Sequence, residues 1–446
     1  MRTTVKPLAA ALALALAGCT VGPDYERPPL ELPEALAASP SAVPAPERWW
    51  TVLGDPVLER LVDEALAANR NLAAAAARVE QARAQVAITG ADRKPSAGIE
   101  GTRSRDRASS LGAFPLPPEA IETNTNRASL KFSWELDFWG RYRRASEAAR
   151  ADLLAAEAGR DAVRASLVAD VARAHFALQA FDANLAIART TLVGRRQAIA
   201  LRQYEAEVRA AEALVPRLER ERTAAEGALA VLLGRSPRAV YAAGIDRGAA
   251  KAPAEIEVPA GLPSDLLRRR PDLREAGARL MAANARIGVA RAAYYPSISL
   301  TGFLGSESQS LANLFSGPAR TFSLAGGLLQ PLYGGGQIAG GVDLADARTR
   351  EAAALYERAV AQAFKEVRDA IGAQRTARDE LAARQAREAA LARATELARL
   401  RYDGGVSSLF ELLDAGQKLL AARTEAVNAD RDRRNAIVDL YLALGA

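Results

Sequence analysis

Leu130-Lys131-Phe132-Ser133-Trp134-Glu135-Leu136-Asp137-Phe138 alternates without a slip: the even-numbered residues are large and apolar, and those between them are polar or charged. Successive side chains of a strand point to opposite faces, so this stretch predicts a strand with one wholly apolar face. Its length is close to the roughly 9–11 residues of a strand crossing a bilayer within a β-barrel. Alternation alone also suits an amphipathic strand in a soluble sandwich. The surrounding sequence decides between them.

The pattern of strand, glycine-marked turn and very long Ala/Arg-rich helix is written twice, from Leu130 to Leu192 around Trp139-Gly140, and from Phe322 to Leu400 around Gly334-Gly335-Gly336. Two more strands precede these, so four are expected: 95–106 and 126–138 in a first repeat (49–240), then 296–305 and 320–331 in a second (263–446). A linker, 241–262, separates the repeats. In the first long helix, Val163, Leu167, Val171, Ala174, Leu178, Phe181 and Leu185 recur at three- and four-residue steps, the heptad spacing that buries a narrow seam. The second long helix, Gln337 to about Tyr402, would span roughly 100 Å at about 1.5 Å per residue. Soluble enzymes rarely contain such a rod.

Composition agrees: of 446 residues only 5% are aromatic, and Ala and Arg dominate the helical stretches, which favours long helices over a thick core. The formal charge of +6 comes mostly from Arg interleaved with Glu and Asp, as on an ion-paired helix surface. No basic block or aromatic platform accompanies it, so nucleic acid is not an expected partner.

Residues 1–18 read as a signal peptide: Arg2 and Lys6 precede a short apolar run, and Leu16-Ala17-Gly18-Cys19 forms a cleavage box. Cys19 is the only cysteine, so no disulfide can form within the chain. Residues 19–48 form a Pro-rich strap. Trp49 and Trp50 are expected to pack, and Gly54-Asp55-Pro56 to start a helix, with Asp55 as cap and Pro56 in the first turn.

Open sheet edges are not tolerated in lipid, and barrels need at least about eight strands. Four strands cannot close one, so copies must pool their strands. Two copies giving eight and three giving twelve both satisfy the count.

The chain resembles the TolC-like outer-membrane efflux lipoproteins of the OprM and NodT type. The resemblance covers nearly its whole length and is carried by Leu16 to Cys19, Trp49-Trp50 with Gly54-Asp55-Pro56, Ser133 to Gly140, Leu266 to Arg274, Tyr295-Pro296-Ser297-Ile298 and Gln330 to Gly336. It implies a mainly α fold with a transmembrane β part: a twelve-stranded barrel in a homotrimer, continued by an α-helical coiled-coil barrel across the periplasm. It further implies an outer-membrane, lipid-anchored exit duct of a tripartite pump, with Cys19 lipidated. The implied partners are a periplasmic adaptor (membrane fusion) protein, an inner-membrane RND-type transporter and outer-membrane lipid, and the implied cargo is small molecules such as drugs. Arg401 to Asp414 match the periplasmic tip, with Gly404 and Gly405 in its turn and Phe410 and Asp414 as the periplasmic gate. A lipid-anchored periplasmic scaffold and the duct of a type I protein secretion system are the alternatives.

The first repeat departs from the pattern. Tyr204 to Gly234 is 30 steps and Tyr402 to Gly445 is 43, a deficit of 13 with no glycine reversal after Tyr204. Shared between two arms, this would withdraw the first hairpin by roughly 10 Å. Pro216 is expected near the new turn or as a kink in the return helix.

Other constellations point to no catalysis, cofactor or metal. Gly334-x-Gly336-x-x-Ala339 resembles a dinucleotide fingerprint but precedes a helix far too long for a βαβ unit. His175, the only histidine, has no ligand cluster at metal spacing. Arg268-Arg269-Arg270-Pro271-Asp272 reads as a charge-paired helix start.

Overall fold

Asp55 starts the first α-helix among the described residues, α1 (Pro56–Ala68): its carboxylate accepts from the N–H of Val57 at 2.9 Å and of Leu58 at 3.1 Å, beside a proline with no N–H to satisfy. The computed structural model describes residues 20–33, 46–109, 111, 117–197, 205–242, 244–248 and 263–445. Cys19 and most of the expected linker lie outside the described residues.

The first half continues with α2 (Arg70–Ala91), β1 (Ser96–Arg107), β2 (Glu122–Leu136), α3 (Arg141–Gln197), α4 (Glu205–Leu232) and the short α5 (Pro237–Ala242). The second half repeats this order with α6 (Pro263–Arg269), α7 (Pro271–Ala292), β3 (Ser297–Ser308), β4 (Arg320–Leu329), α8 (Gln337–Asp403) and α9 (Leu409–Ala443). The strands form one antiparallel sheet in the order β1-β2-β3-β4, and β2 pairing with β3 joins the two halves.

The alternation at 130–138 would carry β2 to Phe138, but the strand ends at Leu136. Asp137 turns its carboxylate to accept from the N–H of Tyr142 and Arg143, and Gly140, at φ +77°, redirects the chain into α3. The corresponding turn after β4 has Gly335 and Gly336 at positive φ and leads into 67 residues of α8, so the glycine fingerprint there is a strand-to-helix turn. Among the described residues no helix is long and apolar enough to cross a membrane.

The chain divides into two compact units. One holds the sheet, within Met1–Pro28, Glu80–Leu154 and Gly277–Ala354. The other, within Pro29–Val79, Ala155–Ala276 and Leu355–Ala446, holds the larger core. There Trp49 and Trp50 pack with Leu58, Phe176, Leu229 and Ile437, and Trp49 stacks on Tyr441 at 5.3 Å between ring centroids. Of the heptad residues of α3, Leu167, Val171, Leu178 and Leu185 are buried, while Val163, Ala174 and Phe181 are half-buried.

In this second unit the long helices make two antiparallel hairpins. Leu185 and Ala188 of α3 pack on Leu218 of α4, with Arg189 paired to Glu219 at 2.6 Å. In the other hairpin Arg384 of α8 pairs with Glu425 of α9 at 2.7 Å, and Thr395 Oγ1 donates to the Ala415 carbonyl. The first hairpin is the shorter: α3 and α4 have 57 and 28 residues, α8 and α9 have 67 and 35. Pro216 lies inside α4, in the return arm.

Candidate functional site

The sheet register sorts side chains into two faces. One row runs Ile99, Leu130, Leu304, Phe322 across all four strands; the next runs Ala97, Phe132, Gly302, Leu324; a third runs Trp134, Leu300, Gly326. Gly302 is needed in its row, since a Cβ there would lie 2.4 Å from the Phe132 ring. The opposite face carries Thr102, Arg127, Lys131, Ser133, Thr301, Ser323 and Glu307. Lys131 pairs with Glu100 and Arg127 with Glu307, while Asp106 and Glu135 add two further carboxylates to this face.

The apolar rows are open to the surroundings in the single chain, with Phe322 79% and Leu324 77% exposed. An apolar patch of this extent requires an apolar cover. From Ala128 to Leu136 on β2 the face rises about 27 Å at roughly 3.4 Å per residue, and tilt brings this near the roughly 25 Å apolar band of an outer-membrane barrel.

The rim where strands meet helices is aromatic. Trp139 stacks on Tyr295 at 4.7 Å and donates Nε1–H to the Pro296 carbonyl at 2.8 Å, while Trp134 Nε1–H donates to the Arg93 carbonyl at 3.1 Å. Trp and Tyr with an apolar body and a polar tip suit the headgroup level of a membrane. The segment following Cys19 is pinned at this rim. Val21 N–H donates to the Trp139 carbonyl, Arg144 holds Asp24 at 2.8 Å, and Thr20 lies so close to Gly140 that a Cβ there would meet its Cγ2 at 2.5 Å.

The hairpin tip is built by Arg401 to Ser408. The amides of Gly405 and Val406 return to the carbonyls of Tyr402 and Arg401, and Gly405 takes φ +71°. Gly404 beside it is not left-handed: one left-handed residue suffices to end α8. Ser408 caps α9 by accepting from the Glu411 N–H. Phe410 follows, 70% exposed, so it does not pack within this chain's own coil. Asp414 lies one turn on and pairs with Lys418 at 2.7 Å.

Two buried polar anchors in the helical unit join residues far apart in sequence. His175, fully buried, meets Asp55 at 2.8 Å, and Gln179 donates Nε2–H to the Arg247 carbonyl beside them. Burial pushes the Asp55 carboxyl up, but the hydrogen bonds from His175, Leu58 and Val57 outweigh it and hold the pKa at about 2. Arg270 is buried at the start of α7, forked on Asp272, with Glu366 at 2.7 Å and the Ala443 carbonyl at 3.1 Å. The Asp272 pairing was legible from local spacing. Asp55 and His175, 120 residues apart, gave no signal. Among the described residues no group of three or more His, Cys, Asp or Glu could hold a metal ion.

A sequence profile of the outer membrane efflux protein family matches residues 61–235 and 262–446. The cation efflux system protein CusC of Escherichia coli O6:H1 is 34% identical over 455 residues, covering 97% of each chain. The antibiotic efflux pump outer membrane protein ArpC of Pseudomonas putida is also 34% identical, over 468 residues, covering 98% of this chain and 94% of its own. Among solved structures, the Campylobacter jejuni CmeC outer membrane channel superposes with a TM-score of 0.89 at 26% identity, covering 96% of this chain and 95% of that one.

Proposed function

The chain belongs to the outer membrane efflux protein family and is an outer-membrane efflux channel, and from that premise we propose that three copies form a passive exit duct for small molecules. The observation that carries this is the set of apolar rows crossing a sheet whose outer strands, β1 and β4, each have one unpaired edge within the chain. Open edges in lipid cost several kcal/mol per unpaired group, so β4 of one copy pairs with β1 of the next until twelve strands close. The polar face then lines the lumen. Its charges, Lys131 and Arg127 against Glu100, Asp106, Glu135 and Glu307, are of both signs with carboxylates in excess.

Cys19 carries the lipid anchor. This is supported by Thr20 and Val21, which hold the start of the mature chain against the aromatic rim where an acyl chain can enter the bilayer. The second hairpin supplies the periplasmic gate and the contact to an adaptor: three copies bring together three exposed Phe410 side chains and three Asp414 carboxylates. The first hairpin, with both arms shorter, leaves that seal mainly to the second. The duct uses no energy of its own and takes cargo from an inner-membrane pump through the adaptor. Equal identity to a cation channel and an antibiotic channel leaves the cargo class with the pump partner.

Cysteines on the two edge strands, at Ile99 and Phe322, test the closure. Oxidation is expected to yield a covalent trimer from membranes, and linkage that stops at dimers under full oxidation contradicts it. Accumulation of dyes, antibiotics and metal cations in cells with and without the gene then assigns the cargo.

A further inference from the structure

The same register that builds the apolar face places four arginines on it. Along β1 the face reads Ala97, Ile99, Gly101, Arg103, Arg105, Arg107, and on β4 it begins at Arg320, in one row with Gly101, Ala128 and Ser306. Arg103 and Arg320 therefore sit within one or two rows of the lipid-facing side chains, at the loop end of the sheet. Both are exposed, and among the described residues neither forms an ion pair. Arg105 and Arg107 share the single carboxylate of Glu122 on that face, at 2.7 and 3.0 Å. The β3 to β4 connection, residues 309–319, contains no charged residue. The band is strongly cationic.

Given the exit-duct reading proposed above, the orientation follows. The residues after Cys19 are pinned at the helical rim, so the helical rim is periplasmic and the loop rim lies at the outer leaflet. The helical rim is aromatic and the loop rim is arginine-rich. A guanidinium just beyond an apolar band cannot be lipid-solvated, and its planar fork matches a phosphate oxygen pair.

We propose that Arg103, Arg105, Arg107 and Arg320 form an outward-facing site for the phosphate groups of anionic lipids in the outer leaflet. The acyl chains of such a lipid lie along the apolar rows while its phosphates meet the arginines. If the barrel closes as proposed, β4 of one copy lies beside β1 of the next, and Arg320 joins the neighbour's arginine ladder into one patch per interface. The site holds lipid at the interfaces between copies and orients the barrel toward the outer leaflet.

The test uses the full-length assembled protein in mixed micelles, with bound lipid counted by native mass spectrometry. The probes are bis-phosphorylated lipid A and the same glycolipid without its phosphates. Wild-type protein is expected to retain the phosphorylated form at least about tenfold more tightly, since each basic residue near a membrane surface contributes about a fivefold preference. R103Q/R320Q should erase most of that difference, and R103K/R320K should keep part of it, because charge survives while the fork is lost. Arg127→Gln, on the lumen face, should leave it intact. Equal retention of the two lipids by the wild-type protein overturns the proposal whatever the variants do. Single-channel conductance in neutral lipid is measured on the same preparation: conductance without phosphate preference defeats this site alone, and no conductance defeats the duct.

Discussion

The two halves of the chain agree at the sheet and part company in the helices. Each contributes a strand pair to one sheet, a glycine turn and a long descending helix, with Leu130 of the first half directly opposite Leu304 of the second. Yet α3 and α4 are ten and seven residues shorter than α8 and α9, and among the described residues only the second hairpin shows a glycine reversal with an exposed phenylalanine beside it. Strands that must close a barrel admit no change of register. Helical arms can shorten without disturbing a sheet register. The halves are thus equal where the membrane constrains them and unequal where it does not.

The largest effects should come from breaking the equality at the sheet. Leu130→Arg and Leu304→Arg, one per half, should each cost about 2–4 kcal/mol near the bilayer midplane. Both are expected to lose the assembled form in membrane extracts to a similar degree. A large loss for one and none for the other would show that the halves are not equivalent in lipid.

Next are the buried anchors, which differ between the halves. Arg270→Ala leaves Asp272 and Glu366 without their shared cation and should cost about 3 kcal/mol. Asp55→Ala removes a helix cap and the partner of buried His175, at about 2 kcal/mol. The Asp55 anchor responds to acid. Its folded-state pKa, about 2, lies below that of an unfolded carboxyl. Its contribution, about 2 kcal/mol, is therefore complete above about pH 4 and lost as pH falls through about 2. Urea unfolding across that window should show this step in the wild type. Asp55→Asn, which can still cap, should flatten it.

A smaller effect is expected at the first hairpin. Inserting about thirteen residues of helical sequence after Glu205 lengthens both arms toward those of α8 and α9, and should alter efflux and lower the leak of the closed channel. Unchanged transport and leak would show that the short hairpin plays no part in the seal. Smallest is Gly405→Ala, which forces a side chain into φ +71° at about 1 kcal/mol. Gly404→Ala should cost less, because Gly404 is not left-handed. Thermal unfolding of the two variants separates them.

Much of this was legible in the sequence because its signals are local. The alternation from Leu130 to Phe138, the glycines at 140 and 334–336, and the heptad steps of α3 each need only a short window. What was not legible depends on pairing. The end of β2 at Leu136 turned on Asp137 preferring the amides of α3, a choice alternation cannot show. The side on which Arg103 and Arg320 stand follows only from the register with β2 and β3. The partnership of Asp55 with His175 is made by tertiary packing across 120 residues, and neither residue announces the other. The tip lies between: its glycine reversal reads from sequence, but which glycine takes the left-handed conformation is set by the geometry that ends α8.

The proposed duct requires copies of this chain to pool their four-stranded sheets into a water-filled pore. Purified full-length protein added to a planar bilayer of neutral lipid should give discrete conductance steps, and Leu304→Arg should reduce their frequency without changing their size. Folded, assembled protein that inserts but never conducts would contradict the account.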